Sequence, residues 1–407
     1  MYEKFKELDG SHPWREICRH GFVDYQARIC SQGCVLYFNF PLAMDLELVP
    51  PDHPSVINKE LEQIVLETFS LRIINEHDIK SGKQYPPETI KPRTYMATRY
   101  LQTQHHNKQG KTSGDGRSIW NGYLKTSRLT FDVSSRGTGA TILSPGAQKS
   151  DGAVKTGDES YGYSSGLADL EEMLGSAVMS EIFYRQGIPT ERCLAVIGFP
   201  DGSAVGVRCA PNLIRPAHIF RYLKQNRLAE LKASVDYFIN RQIENGFWHF
   251  PADAGERYAT ALDYQARSYG KMAAVMEEEY IFNWLSWDGD NMLASGAILD
   301  YGSIRQFAAK HDKYRFKDVD RYSASLREQR RWARLLVQCL RRRWRSSSQV
   351  KSKTCVASKT QNVSRYLIRF SRRNEIIAFC GASVLLRNRS SSWRKPRKRR
   401  SRISTGP

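Results

Sequence analysis

Apolar and polar positions along this chain follow two different periods, which predict different kinds of element. Strand-like segments occur at residues 119–124, 129–133, 193–199 and 203–207, and the segment at 129–133 alternates over two residues. A helical period occurs near residues 55–75, from 167 to 187, and at about 217–245 and 256–285. The pattern therefore predicts an α+β protein whose first part is rich in strands and whose second part is helical.

A short hairpin is predicted after the last long helix. Ser295-Gly296 forms a two-residue turn in this interpretation, and counting outward pairs Asn291 with Asp300. Directly paired residues hold their Cβ atoms roughly 4.5–5.5 Å apart, so an amide and a carboxylate could share one Mg²⁺ together with substrate phosphates and water. Asp290, one residue earlier, is placed to act as a base. The alternative is an ordinary surface hairpin, where Asp and Asn are common.

Glycines and arginines mark three other places where phosphate could bind. Gly114-Asp115-Gly116-Arg117 precedes a predicted strand; its glycines allow backbone N–H groups to approach a phosphate, and its arginine can bind one through two donors. Arg136 stands at a predicted strand end, and Arg208 and Arg215 are seven residues apart. Each feature also has a structural explanation, as a common turn or as a salt-bridge partner.

The most informative feature of the composition is where the charged residues lie along the chain. The chain has 407 residues, enough for two to three domains, and a net charge of +20. Residues 340–407 contain 20 Lys or Arg and one acid, Glu375, so the remainder carries only +1. The basic character therefore belongs to the tail, and we expect nucleic acid to bind there if anywhere.

The cysteines and the apolar runs indicate the cellular compartment in which we expect the protein. The eight cysteines are scattered, and Cys30-x3-Cys34 has no second close pair, which argues against zinc. No secretory signal precedes them, so we expect reduced thiols and a cytoplasmic protein. No apolar run reaches the roughly 18 residues that a membrane helix needs.

Taken together and in order, these motifs resemble those of the selenoprotein O family of protein adenylyltransferases, which have a protein-kinase fold. The resemblance covers roughly residues 113–300. It is carried by G-D-G-R at 114–117, F-D-V-S-S-R-G-T-G at 131–139, S-E-I-F-Y-R-Q-G-I-P-T-E-R at 180–192, V-R-C-A-P-N-L-I-R at 207–215 and D-N-M-L-A-S-G-A-I-L-D-Y-G at 290–302.

The resemblance implies an enzyme that transfers AMP from ATP, with Mg²⁺, to Ser, Thr or Tyr hydroxyls of proteins. Asp290 would be the catalytic base, and Asn291 and Asp300 would hold the metal, Asp300 also contacting the nucleotide. The other nucleotide contacts would be Gly114, Gly116, Arg117, Arg136, Asp151, Gly152, Arg208 and Arg215. An inactive ATP-binding pseudokinase scaffold is the alternative.

The implied fold has two kinase-like lobes: a β-rich N-lobe with one main helix, and a helical C-lobe. The expected divisions are an N-terminal extension packing on the core, the nucleotide-binding N-lobe, the helical C-lobe with the metal hairpin, and a disordered basic tail, at residues 1–85, 86–215, 216–339 and 340–407.

The chain departs from the family at three places. Arg136 replaces the family's lysine, and Ser176 stands where the family has the helix glutamate that pairs with it. Glu172, one turn earlier, could substitute because residues four apart share a helix face. Asp151-Gly152 meets the family's Asp-Gly only after a small insertion.

The tail differs from the family in another way. The helical pattern runs to Gln338 and is then lost, and the family's further helical lobe and C-terminal cysteine or selenocysteine motif are missing. We hypothesise that this segment is out-of-frame or truncated sequence. A disordered arm that binds nucleic acid through phosphate contacts is the alternative.

Overall fold

The structure is a computed structural model, and it describes residues 1–102, 105, 108–149, 152–250, 256–279, 281–283, 289–301, 304–306 and 326–349. The strands are β1 Phe22–Ile29, β2 Cys34–Phe38, β3 Leu71–Ile73, β4 Ile90–Thr98, β5 Ser118–Lys125, β6 Thr130–Arg136, β7 Ala168–Asp169, β8 Arg192–Gly198, β9 Ser203–Ala210, β10 Ile281–Asn283 and β11 Ile304–Gln306. The helices are α1 Trp14–Ile17, α2 Phe40–Asp45, α3 Lys59–Phe69, α4 Glu76–Lys80, α5 Leu170–Arg185, α6 Pro216–Lys224, α7 Leu228–Glu244, α8 Arg257–Glu278 and α9 Leu326–Gln349. The prediction of an α+β protein is confirmed.

One large antiparallel sheet dominates the first half of the chain. Within the described residues its order is β2-β8-β9-β6-β5-β4-β1-β3, and β7 pairs with β9. Strands β1, β2 and β3 all come from residues 22–73, and β1 pairs directly with β4 while β2 pairs with β8. The predicted boundary at residue 85 therefore runs through a continuous sheet. Strands β1, β2 and β3 of the first 85 residues thus belong to the same sheet as β4 and β8.

Helices α3 and α5 bury their apolar stripes against this sheet. Leu61, Val65 and Phe69 of α3 join the core formed with β8 and β9, and Met173 and Ala177 of α5 pack over the same strands. Helix α3 begins where the Asn58 side chain accepts the Leu61 N–H at 2.8 Å, which satisfies one of the free donors of its first turn. It is shorter than the predicted 55–75 helix because residues 71–73 pair with β1 instead.

The helical half differs from the prediction in where its helices begin and end. The predicted helix at 217–245 is two helices, because Asn226 adopts φ +55° and interrupts the helical backbone between α6 and α7. Helix α8 ends at Glu278, before the short strand β10. Helix α9 continues to Gln349, so the prediction that the helical pattern stops at Gln338 is wrong.

The Gly- and Ser-rich segment at residues 146–166 also has regular structure. It contains two 3-10 helices, Pro145–Lys149 and Glu159–Ser165. Among the described residues, no helix is both long and apolar enough to cross a bilayer. Residues 350–407 lie outside the described part of the chain, so disorder of the tail and its binding to nucleic acid stay predictions.

Candidate functional site

A cleft beside the sheet collects residues from separate parts of the chain. Its walls come from the segment after β4, the glycine loop before β5, the ends of β6 and β9, the 3-10 segment, and the hairpin after α8. The lining residues are Tyr100, Gln102, Gly114, Asp115, Gly116, Arg117, Ser118, Arg136, Ser144, Pro145, Ser164, Arg208, Arg215, Asn291, Leu299 and Asp300. Eight of the residues predicted for nucleotide or metal are therefore brought together: Gly114, Gly116, Arg117, Arg136, Arg208, Arg215, Asn291 and Asp300.

The glycine loop needs its glycines for packing against the protein itself. A Cβ atom at Gly114 would lie 2.1 Å from the Thr98 carbonyl oxygen, and one at Gly116 would lie 2.8 Å from the Ser144 Cα atom. Both distances are shorter than any van der Waals contact, so a side chain at either position would push the loop away from β4 or from the 3-10 segment. The glycines therefore fix the position of Arg117 as well as exposing backbone to the cleft.

Asp115, between these glycines, anchors the loop. Its carboxylate accepts the Thr98 N–H at 3.0 Å, the Thr98 hydroxyl and the Trp120 Nε1–H at 3.1 Å. Arg215 donates to its other oxygen at 3.3 Å and to the Asp290 carbonyl oxygen at 2.8 Å. Asp115 thus links the glycine loop to Arg215, and Arg215 links it to the hairpin.

His218, in the first turn of α6, completes this network in its neutral form. Its Nδ1 accepts the backbone N–H of Arg215 at 2.9 Å, so the proton is on Nε2, which faces the Thr98 hydroxyl at 2.8 Å. Burial and the nearby Arg215 charge lower the pKa of His218 to about 3. The imidazole therefore stays neutral at physiological pH and acts as a fixed hydrogen-bonding spacer.

Arg117 and Arg136 share one carboxylate. Arg117 donates to both oxygens of Glu172 on α5, at 2.9 and 2.6 Å, and Arg136 donates to one of them at 3.3 Å. Burial alone would raise the pKa of Glu172, but the two guanidinium groups lower it. The structure thus confirms the expectation that Glu172 substitutes for the glutamate that Ser176 replaces.

The hairpin carries Asn291 and Asp300 in a register that differs from the prediction. Met292 pairs with Ile298, and the Leu293 N–H donates to the Ala297 carbonyl oxygen at 2.9 Å. The loop between them has three residues, with Gly296 at φ +86°, which is the three-residue arrangement with a left-handed glycine. The two-residue turn and the direct pairing of Asn291 with Asp300 were therefore wrong.

Both metal candidates nevertheless reach the same cleft, because the hairpin is held from several sides. Ile298 exchanges backbone hydrogen bonds with residues 189 and 191, at 3.0 and 2.9 Å. From α8, Gln265 donates to the Ala294 carbonyl oxygen at 2.7 Å and Tyr269 donates to the Leu293 carbonyl oxygen at 2.9 Å. The position of Asn291 and Asp300 is thus set by tertiary contacts as well as by the turn.

Three predicted residues are not among those that line the cleft. Asp290 is adjacent and buried, with 8% of its surface exposed, and its carbonyl oxygen is held by Arg215. Gly152 has φ +83° and donates its N–H to the Ala147 carbonyl oxygen at 2.8 Å. Asp151 lies outside the described residues.

Sequence reasoning overlooked the residues that hold the arginines. No role was assigned to Asp115 of the G-D-G-R motif from the sequence, although an acid between two glycines before a strand indicates a candidate partner for an arginine. Tyr100 lies under Arg215, its ring centroid 4.3 Å from the guanidinium carbon. Glu191 is buried beside Arg208 at 3.7 Å, and no local pattern in the sequence marks it.

The donor set fits a nucleotide triphosphate with a hard cation. Four guanidinium groups line the cleft with only two carboxylates, those of Asp115 and Asp300, which favours a polyanion. Among the described residues, no group of three His, Cys, Asp or Glu side chains is arranged to hold a metal. Asn291 and Asp300 could hold Mg²⁺ only as part of a shell completed by phosphate oxygens and water.

No protein-family model matches the chain, but similar proteins are known. A protein nucleotidyltransferase YdiU of Burkholderia thailandensis is 28% identical over 209 residues, which cover 49% of this chain and 36% of that protein. The Clostridium botulinum protein of the same name is 30% identical over 198 residues, covering 46% and 36%. That of Maridesulfovibrio salexigens is 26% identical over 293 residues, covering 67% and 52%. The chain thus spans between about a third and a half of the length of these curated relatives.

Proposed function

We propose that this chain, which is similar to the protein nucleotidyltransferases YdiU of three bacteria, is a divergent member of the selenoprotein O family and that it transfers AMP from ATP to Ser, Thr or Tyr hydroxyls of proteins. The observation that carries the proposal is the convergence of four arginines with Asn291 and Asp300 on a single cleft. We further propose that the sheet and the helical half act as the two lobes of a kinase-like fold, and that the protein works in the cytoplasm.

In this proposal the arginines bind and orient the triphosphate. Arg208 lies near the end of β9 and Arg215 follows that strand, whereas Arg117 lies in the glycine loop and Arg136 ends β6, and all four line the cleft. Transfer of AMP breaks the bond between the α-phosphorus and the bridging oxygen, and the negative charge moves onto pyrophosphate. Guanidinium groups fixed beforehand in a partly buried site stabilise that charge as it develops.

Asp290 is the proposed base. It would take the proton from the acceptor hydroxyl as the hydroxyl oxygen bonds to the α-phosphorus, a role that a carboxylate fills when it lies within hydrogen-bond reach. Its backbone is fixed by Arg215, so the base and one of the phosphate ligands move together.

Asn291 and Asp300 are the residues that would hold Mg²⁺. A bound Mg²⁺ would neutralise phosphate charge and orient the triphosphate. Arg136 contributes to the same wall, because the charge of Asp300, with those of Glu191 and Glu172, raises the pKa of Arg136 despite its burial. The carboxylate that would bind the metal is thus already balanced by a fixed cation.

The test is to incubate the protein with Mg²⁺, with casein as acceptor, and with ATP labelled at the α- or the γ-phosphate. The proposal predicts label on protein from the α position only, and its loss in Asp290→Ala. Label from the γ position only would identify a kinase. Label from neither position would indicate a nucleotide-binding scaffold and would contradict the proposal.

A further inference from the structure

The four arginines of the cleft are not held equally. Arg117, Arg136 and Arg215 each donate at least one hydrogen bond to a carboxylate, at distances between 2.6 and 3.3 Å. Arg208 differs: its nearest carboxylate oxygen, Glu191 Oε2, is 3.7 Å from its NH1 atom. Among the described residues, neither the Arg208 Nε nor the Glu191 Oε2 has a hydrogen-bond partner. Arg208 therefore keeps donors that the protein does not use.

A small cavity lies behind this pair and separates it from α5. It has a volume of about 20 Å³, and its lining includes Arg136, Ser176, Glu191, Cys193 and Arg208. Arg136 and Arg208 also line the cleft, so these two side chains form the wall between the two spaces. The cavity is large enough for about one water molecule, which gives the pair room to rearrange.

We propose that Glu191 is a positioning residue that holds Arg208 when the cleft is empty and gives up its negative charge, by taking a proton, when a nucleotide triphosphate binds. The inference rests on the proposed nucleotide site and adds a regulation by protons to it. The loose 3.7 Å contact and the unused donors of Arg208 are its geometric basis.

The electrostatics of the cluster support this assignment. Burial raises the pKa of Glu191 to about 7, although Arg208, Arg136 and Arg215 act in the opposite direction. Burial also lowers the pKa of Arg208 to about 10. At a separation of 3.7 Å the attraction between the two charges does not offset the cost of removing both from water. The Glu191 carboxyl therefore binds a proton more readily than an ordinary glutamate before any ligand arrives.

The other groups around Glu191 do not offer a competing explanation. The charges that act on Glu191 are those of Arg208 from β9, Arg136 from β6, Arg215 after β9 and Asp300 from the hairpin, and Cys193 and Tyr301 line the same cavity. Burial raises the pKa of Cys193 and that of Tyr301 well above the physiological range, so both stay neutral. A triphosphate beside Arg208 would add negative charge within a few ångströms, and a like charge raises a carboxyl pKa further.

The test is to measure the affinity for Mg·ATP between pH 6 and 8.5 for the wild type and for Glu191→Gln, which mimics the protonated acid. If the bound triphosphate raises the Glu191 pKa by about one unit, the variant should bind about tenfold more tightly at pH 8.5 and nearly equally at pH 6. The ratio of the two proteins cancels the titration of the nucleotide. Calorimetry in two buffers of different ionisation enthalpy at pH 7.5 should show proton uptake in the wild type and its loss in the variant.

Two further variants separate charge from shape. Glu191→Asp keeps the carboxyl group and should retain the pH dependence, which a purely structural role would not predict. Glu181→Gln removes a carboxylate that pairs with Arg192 at 2.8 and 3.0 Å outside the cleft, and it should behave as the wild type. Equal pH profiles in wild type and Glu191→Gln would overturn this inference and leave the proposed function intact. No ATP binding by the wild type would overturn both.

Discussion

Asp132 and Glu191 are both buried carboxylates beside an arginine, but their surroundings differ. Asp132 faces Arg241 and accepts hydrogen bonds from Arg241, from His12 at 3.0 Å and from the Leu213 N–H at 2.8 Å. Burial would raise the pKa of Asp132, yet these partners lower it. At Glu191, where the arginine is 3.7 Å away, burial prevails and the pKa rises to about 7.

The comparison distinguishes two roles of a buried carboxylate: Asp132 stabilises the fold, whereas Glu191 has the proposed role in the cleft. Both oxygens of Asp132 are saturated with hydrogen bonds that join β6 to the N-terminal segment and α7, so changing its charge would leave His12 and Arg241 without their partner. The pair at Glu191 has atoms without hydrogen-bond partners, and its Arg208 also lines the cleft. Both carboxylates are buried, so it is the incomplete hydrogen bonding of the Glu191 carboxylate that distinguishes it as the candidate for a functional role.

The largest expected effect is on stability at the saturated site. Asp132→Asn should lower the free energy of unfolding by about 3–5 kcal/mol, because Arg241 would remain buried without a countercharge. Urea unfolding followed by circular dichroism at pH 7.5 measures it. Glu181→Gln, which breaks a less buried pair, should cost about 1 kcal/mol or less. Similar losses in the two variants would remove the distinction between the two kinds of site.

The second expected effect is a pH dependence of stability that belongs to Glu191. Its pKa is about 7 in the folded protein against an ordinary value of 4.5, so the folded state binds the proton more tightly. Protonation of Glu191 therefore stabilises the folded state. This contribution to the free energy of unfolding, up to ~3 kcal/mol, is fully present below pH 4.5 and is lost as the pH rises through 7. The difference in unfolding free energy between wild type and Glu191→Gln, measured from pH 4.5 to 8, should change by this amount. A constant difference would show that Glu191 does not titrate in this range.

The smallest effect compares two arginines of the cleft. Arg208→Lys should weaken Mg·ATP binding about tenfold, because a lysine cannot replace the fork of a guanidinium whose donors are free for phosphate. Arg117→Lys should weaken it less, since both Arg117 terminal nitrogens already bind Glu172. Equilibrium titration at pH 7.5 checks the order. A larger loss in Arg117→Lys would mean that hydrogen bonding to protein does not predict which arginine serves the ligand.

The sequence predicted those parts of the fold that depend on local pattern. The strands around Pro200-Asp201-Gly202 and helix α5 lie where periodicity placed them, because each buries one regular face. The break at Asn226 was missed, since a single left-handed residue leaves the apolar pattern on either side unchanged. Strand β3 was assigned to a helix because its structure comes from pairing with β1.

The sequence motifs predicted which residues belong to the candidate site. They did not predict how tertiary contacts orient those residues. Motif order located Arg117, Arg208, Arg215, Asn291 and Asp300, which share the cleft. The hairpin register failed because a left-handed conformation at Gly296 allows a three-residue loop, and counting cannot distinguish it from a two-residue turn. The sequence did not predict Asp115 and Glu191 as partners of the arginines. Asp115 pairs with Arg215, about 100 residues away, and Glu191 lies beside Arg208, 17 residues away, and neither contact follows from local pattern.

Binding of ATP by wild type and Asp300→Ala, with and without Mg²⁺, tests the central claim most directly. The account predicts that Mg²⁺ strengthens binding to the wild type, and that in Asp300→Ala this strengthening is lost while weaker binding through the arginines remains. Equal strengthening by Mg²⁺ in both proteins would contradict the account, because the cleft formed by Asn291, Asp300 and the four arginines would then not be the place where the metal and the triphosphate meet.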